Sequence, residues 1–171
     1  ADHAKEIEAI VNQSEKPTFE NTIVPLNYSG ELLQKVSSVF DNLYGASNND
    51  KMQEIARVVS PKLTIHRDNI SLNPKLFARI KTLYDDRQNQ KYTDEQLRVI
   101  DKMYNDFVRN GANLNPEDQA KLRELNNQLA TLGLRFNENL LAETNENFRM
   151  VVENKDELAG LPQFVIDAAA E

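Results

Sequence analysis

Two histidines, His3 and His66, are the side chains of this 171-residue sequence best suited to general-base or metal chemistry. His3 is followed by Ala4-Lys5 and His66 by Arg67-Asp68, so neither opens an H-E-x-x-H zinc helix. No Glu stands three residues before either, which removes the E-x-x-H pair of di-iron bundles. There is no Cys, so thiolate zinc sites, iron–sulfur clusters, disulfides and cysteine nucleophiles are excluded. Glycine patterns that cradle phosphate or present a serine nucleophile are missing as well. His66 falls on the apolar stripe of a predicted helix and reads as a half-buried residue bonded to a neighbouring helix. His3, near a fraying end, is assigned no role. Asp85-Asp86 and Asp94-Glu95 lack the loop spacing of a calcium site and flank helix ends, where capping and the helix dipole account for them. The sequons at Asn12, Asn27 and Asn69 lie in predicted helices or at their ends and read as chance. Tyr44, Tyr84 and Tyr104 recur at helical spacing and read as core rather than as a groove lining. The expectation is therefore no catalytic, no cofactor-binding and no metal-binding residue.

Charge narrows the partners. With 27 Asp and Glu against 20 Lys and Arg, the formal net charge is −7. A nucleic-acid surface needs a basic stripe, which this balance does not offer. No apolar run approaches the roughly 18 residues of a membrane span. The first six residues lack the basic and apolar regions of a signal peptide. A chain of this length suits one domain or lobe, burying about 70% of its unfolded surface.

The elements are helical. Ile7, Ile10 and Val11 mark a first helix ending before Pro17. Thr18 is a predicted N-cap for a much longer helix. Along it, Phe19, Ile23, Leu26, Gly30, Leu33, Ser37, Phe40 and Tyr44 form a seam repeating every 3.5 residues on average. Leu32, Val36, Val39 and Leu43 make a second apolar row beside it. Two apolar faces need cover from two sides, which predicts a central helix in which Phe40→Asp unfolds the domain. Pro25 is expected to kink it or end its first turns, and Gly30 and Ser37 to admit a neighbouring helix closely. After a loop at 45–49, a third helix carries Met52, Ile55, Val59, Leu63, His66 and Ile70, with a kink at Pro61, and breaks at Leu72-Asn73-Pro74. A fourth carries Leu76, Phe77, Ile80, Leu83 and Tyr84. A fifth opens on the Thr93/Gln96 capping box and stops at Gly111. Asn115-Pro116-Glu117-Asp118 starts a long sixth helix through Leu140. Phe148–Val152 has strand-like propensity, Asp156–Leu161 reads as a turn, and Pro162 opens another helix. The fold class is thus all-α, a bundle of about six helices with a short extended segment near residues 148–152. Ala1–Lys5 has no cap and Gln163–Glu171 no stop, so both edges read as cut from a longer chain.

Several blocks occur together in one order. They are Pro17-Thr18-Phe19-Glu20-Asn21-Thr22-Ile23, Ser29-Gly30-Glu31-Leu32-Leu33, Ser37-Ser38-Val39-Phe40, and Leu72-Asn73 with Leu76-Phe77-Ala78-Arg79. Further on come Phe107–Leu114, Leu125-Asn126, Leu129–Leu132 and Leu158-Ala159-Gly160-Leu161-Pro162. In these blocks the chain resembles the amino-terminal part of the zinc metallopeptidases related to thimet oligopeptidase and oligopeptidase A, in their peptidyl-dipeptidase branch. No single block is a catalytic signature; their collinearity carries the resemblance.

What the resemblance implies is an amino-terminal helical domain, residues 1–171, of a longer peptidase whose catalytic domain is absent here. In that family zinc sits in an H-E-x-x-H helix with a further Glu ligand, far downstream. None of those positions exists in this sequence, so no residue role transfers. The implied cofactor is zinc in the full-length parent, with none bound by this part. The implied partners are the remaining catalytic part of the same polypeptide and an oligopeptide substrate, with this lobe forming part of the channel wall. The alternative is a free-standing helical module that binds a partner helix or peptide in a groove.

Overall fold

The computed structural model describes residues 2–148 and 151–169. Its helices are α1 (Asp2–Val11), α2 (Val24–Tyr28), α3 (Glu31–Ala46), α4 (Asp50–Ser71), α5 (Pro74–Asp86), α6 (Asp94–Arg109), α7 (Pro116–Asn147) and α8 (Gln163–Ala169). A π-helical turn at Phe19–Ile23 leads into α2, and 3-10 turns occupy Arg87–Asn89 and Lys155–Leu158. Among the described residues there is no strand, so the class is all-α. The chain divides into two compact units, 1–134 and 135–171, with the division falling inside α7.

The helices begin and end where side chains satisfy their free backbone groups. Thr18 Oγ1 accepts the Asn21 N–H at 3.0 Å while Asn21 Oδ1 accepts the Thr18 N–H at 2.8 Å. Thr93 and Gln96 make the same reciprocal pair before α6. Asn73 Oδ1 accepts from the N–H groups of Lys75 and Leu76 to open α5, with Pro74 in the first turn. Asn115 Oδ1 accepts the Asp118 N–H to open α7. Gly111, at φ +92°, ends α6 in the left-handed conformation that favours glycine. A Cβ there would lie 2.5 Å from Leu122 and 3.4 Å from Leu72, so two family-like blocks and the first turns of α7 meet at this corner.

Within the first unit the central helix is α5. Leu76, Ile80 and Leu83 recur at helical spacing, and Leu76 and Ile80 are wholly buried. On one side Leu76 and Ile80 pack against Ile7 and Ile10 of α1. On the other, Leu83 packs with Ile23 of the π-helical turn and Ile100 of α6. The α5–α6 seam carries a run of stacked rings: Phe77 on Tyr104 and Phe107, and Tyr84 on Tyr104 with ring centroids 3.8 Å apart. Arg87 covers Tyr84 at 3.7 Å and pairs with Asp101 at 2.7 Å, closing one end of the stack.

Several expectations change. The long helix from Thr18 to Tyr44 is broken at Ser29-Gly30, where Gly30 takes φ +75° and becomes the N-cap of α3. Pro25, expected to kink the long helix or end its first turns, stands in the first turn of α2, just after the π-helical turn ends at Ile23. No residue of α3 is buried, so α3 is not central; Phe40 is half-buried against Tyr44, and a charge there reaches solvent. The all-α bundle of about six helices is otherwise as expected: the break adds one helix to the count, and the helix expected after Pro162 is Gln163–Ala169. Of the extended segment near 148–152, Arg149 and Met150 lie outside the described residues, while Phe148, Val151 and Val152 join no strand.

The second unit contains a capped turn and one short helix after the end of α7. Asn154 Oδ1 accepts the Asp156 N–H at 3.0 Å, capping the turn at Lys155–Leu158, and α8 follows Pro162. Its aromatic residues Phe136, Phe148 and Phe164 are exposed.

The core assignment is tested by paired substitutions. Ile80→Ala is expected to cost about 2–5 kcal/mol, the range for deleting a buried aliphatic side chain, whereas Phe40→Ala costs clearly less. Urea denaturation followed by circular dichroism reads both. Equal losses at the two positions would overturn the placement of α5 at the centre.

Candidate interaction surface

Helix α3 turns one half-buried row inward, Leu33, Ser37, Phe40 and Tyr44, and one row outward. The outward row is Leu32, Val36, Val39 and Leu43, with 66%, 60%, 61% and 52% exposure. On α4, Val58 and Ile65 are also more than half exposed, and on α7 so are Leu125, Leu129 and Leu132. Scattered apolar residues on a surface need no explanation, but an apolar row running about three turns along one helix marks a face built to be covered. Between α1, α3 and α4 lies an open cavity of about 410 Å³, floored by Leu33, Val36, Val59 and Leu63. His3, Glu6, Lys62 and His66 form its polar end.

Both histidines meet at that end. His66 Nε2 lies 3.0 Å from His3 Nδ1, with the rings edge to face. His3 Nε2 lies 3.1 Å from Ser29 Oγ, and Ser29 Oγ donates to the Leu26 carbonyl at 2.7 Å. The Glu6 carboxylate accepts the Gly30 N–H at 2.7 Å. His66 is thus half-buried and bonded to a neighbouring helix, as its apolar stripe suggests. His3, assigned no role from sequence, is its partner. Burial holds the His3 pKa below the usual histidine value; the neighbouring His66 acts in the same direction and Glu6 against it.

The other residues singled out from sequence have structural partners or stand at helix ends and within helices. Asp85 pairs with Lys81 at 2.6 Å. Asp86 accepts from Asn89 and Gln90, bonds that hold its carboxyl below the ordinary range. Asp94 and Glu95 stand in the first turn of α6, and backbone and Thr93 hydrogen bonds lower Glu95. Tyr84 and Tyr104 are in the ring stack, and Tyr44 stacks on Phe40. Asn12 follows α1, Asn27 lies in α2 and Asn69 in α4.

Sequence reasoning assigned no role to two buried polar groups. Arg79, 7% exposed, reaches from α5 to the connector after α1. It donates to Thr22 Oγ1, to the carbonyls of Gln13 and Glu15, to Gln13 Oε1 and to Asn21 Oδ1. Asp68, 5% exposed on α4, accepts from Asn126 at 2.8 Å, and Arg123 donates to Asn69 at 2.9 Å, so two polar bonds tie α7 to α4. The sequence signal was indirect: Arg79 closes one family-like block and Asn21-Thr22 sit in another.

A catalytic zinc takes three protein ligands and keeps one open position. Here the facing nitrogens of His3 and His66 are engaged with each other. Among the described residues no cluster of three or more His, Cys, Asp or Glu side chains is placed to hold a metal ion. This donor set does not fit a zinc centre. Nor, among the described residues, is any helix long and apolar enough to cross a membrane.

Comparison with known proteins decides the family. Residues 1–119 match the model of the neurolysin/thimet oligopeptidase N-terminal domain. The chain belongs to that family. Over 97% of its length it is 40% identical to dipeptidyl carboxypeptidase of Salmonella typhimurium and 39% identical to that of Escherichia coli, covering 24% of each. It is 27% identical over 90% of its length to oligopeptidase A of Haemophilus influenzae, covering 22% of it. The chain therefore spans about a quarter of the length of these relatives. Within this family domain, the Pro17–Ile23 and Leu76–Arg79 blocks are joined by the Arg79 side chain.

Removing that side chain leaves several acceptors without a donor. Arg79→Ala is expected to cost about 3 kcal/mol or more, since bonds to a charged donor are worth about 1.5–3 kcal/mol each and are not additive. Arg79→Lys should recover less than half, because an ammonium cannot span acceptors arranged around a planar fork. Chemical denaturation of both variants measures this; full rescue by Lys would show that charge alone matters.

Proposed function

We propose that this chain is the amino-terminal helical lobe of a zinc-dependent peptidyl-dipeptidase that removes C-terminal dipeptides from oligopeptides. In this reading residues 1–171 form one amino-terminal helical region, and none of them is catalytic, cofactor-binding or metal-binding. The zinc belongs to the remaining part of the same polypeptide. The observation that carries the reading is family membership over most of the chain, at a quarter of the relatives' length. The curated relatives named dipeptidyl carboxypeptidase supply the reaction class.

The uncovered row on α3 supports the same reading from physics. At roughly 25 cal/mol per Å² of apolar area, covering Leu32, Val36, Val39 and Leu43 contributes several kcal/mol toward docking. The occupant we assign is the catalytic part of the polypeptide, and the lobe would form part of the wall of the substrate channel. Peptidase action would then require both parts, the lobe shaping entry and the other part cleaving.

The test compares the 171-residue chain with the longer polypeptide that contains it. An N-blocked oligopeptide with a free C-terminus is the substrate, and released dipeptide is quantified. The longer polypeptide is expected to release dipeptides and to lose activity on zinc chelation, while the isolated chain releases none. In the longer polypeptide, Val36→Asp with Val39→Asp should lower activity at least tenfold. In the isolated chain the same pair should leave the thermal midpoint within a few degrees, because both residues are exposed. Dipeptide release by the isolated chain, or an active longer polypeptide indifferent to these charges, would overturn the assignment.

A further inference from the structure

The bonds around His3 have only one consistent arrangement of protons. Ser29 Oγ lies 2.7 Å from the Leu26 carbonyl, which has no hydrogen to offer, so the single hydroxyl proton of Ser29 points there. Ser29 Oγ must then accept from His3, which places a proton on His3 Nε2. In a neutral imidazole the second nitrogen is bare, so His3 Nδ1 accepts from His66 Nε2–H across 3.0 Å. The chain runs one way, His66 to His3 to Ser29 to Leu26, and ends on backbone.

Such a chain tolerates a proton at one histidine and not at the other. A proton added to His66 goes to Nδ1, which faces away from the contact, and every bond survives. A proton added to His3 can go only to Nδ1, where it meets the His66 Nε2–H head on. The His3 ring also packs onto Gly30, where a Cβ would lie 2.5 Å from His3 Nδ1, so the corner accepts the ring only because residue 30 is glycine. Asp2 and Glu6 on α1, Asp41 on α3, and Lys62 and Arg67 on α4 line the surrounding cavities. Glu6 is held by the Gly30 N–H.

We propose that the His66–His3–Ser29 chain is a proton-operated latch, which holds α1 against the Ser29-Gly30 corner and α4 while His3 is neutral and releases α1 when His3 is protonated. The released corner is the one from which α3 starts, so the latch also governs how firmly the apolar face of α3 is presented. The latch itself does not depend on the peptidase assignment.

The sign of the pH dependence follows. The folded His3 takes a proton less readily than the unfolded one, so its contribution is complete above the unfolded value of about 6.5 and is lost as pH falls through the folded pKa. The test uses the 171-residue chain with 15N-labelled histidine. At pH 7.5, imidazole NMR is expected to find neutral His3 as the Nε2–H tautomer. His66→Ala should move its titration midpoint upward, and Ser29→Ala should remove the tautomer preference. Hydrogen-exchange protection of the Ile7, Ile10 and Val11 amides should fall several-fold between pH 7.5 and 5.5, while that of Ile80 and Leu83 stays constant. A neutral Nδ1–H tautomer at His3, or α1 protection that does not change over this range, would overturn the proposal. If a variant fails to fold, the tautomer and the exchange profile of the unaltered chain decide it alone.

Discussion

A buried guanidinium holds the first unit together. Arg79 sits in the middle of α5 and spreads its charge over acceptors from a connector some sixty residues earlier, all of them neutral. Burying an ion without a counter-ion is costly unless its donors are satisfied, and here carbonyls and amides share that task. The carbonyls of Gln13 and Glu15 belong to chain without regular structure, and the guanidinium supplies them with a donor. One side chain thus solves two problems: it neutralises its own desolvation and fixes the connector that seats Ile23 beside Leu83 and Ile100. With that seat set, α1 lies across the other side of α5 through Ile7 and Ile10.

What could be read from sequence was local. Caps at Thr18, Thr93 and Asn115, and the stop at Gly111, involve residues within a turn of one another, so residue type and spacing determine them. The reading from Thr18 to Tyr44 failed for a related reason. A 3.5-residue repeat states which side chains can share a face, and it runs unbroken through Ser29-Gly30. It does not say that one helix carries them all. The reversal at Gly30 depends on a positive φ and on the His3 ring and Glu6 carboxylate that brace it, and these come from another helix. The pairing of His3 with His66 and the reach of Arg79 were hidden likewise, because contacts across helices have no period to detect.

The same logic explains the misplaced centre. Helices α3 and α5 both show strong apolar patterns, and sequence alone favoured the longer one. Yet Leu32, Val36, Val39 and Leu43 are uncovered, whereas the shorter α5 is packed from both sides. An apolar face reports the need for a partner without naming it. For α5 the partners lie within the unit; for α3 the occupant is the one we propose, the catalytic part of a longer polypeptide.

The ring stack between α5 and α6 has an optical consequence. The sequence contains no Trp and five Tyr, and two of these, Tyr84 and Tyr104, lie with nearly parallel rings 3.8 Å apart on different helices. Aromatic rings this close couple their electronic transitions, and a fixed chiral arrangement gives them near-ultraviolet circular dichroism. Docking of α5 on α6 therefore carries its own chromophore, legible without a label and undiluted by indole absorption.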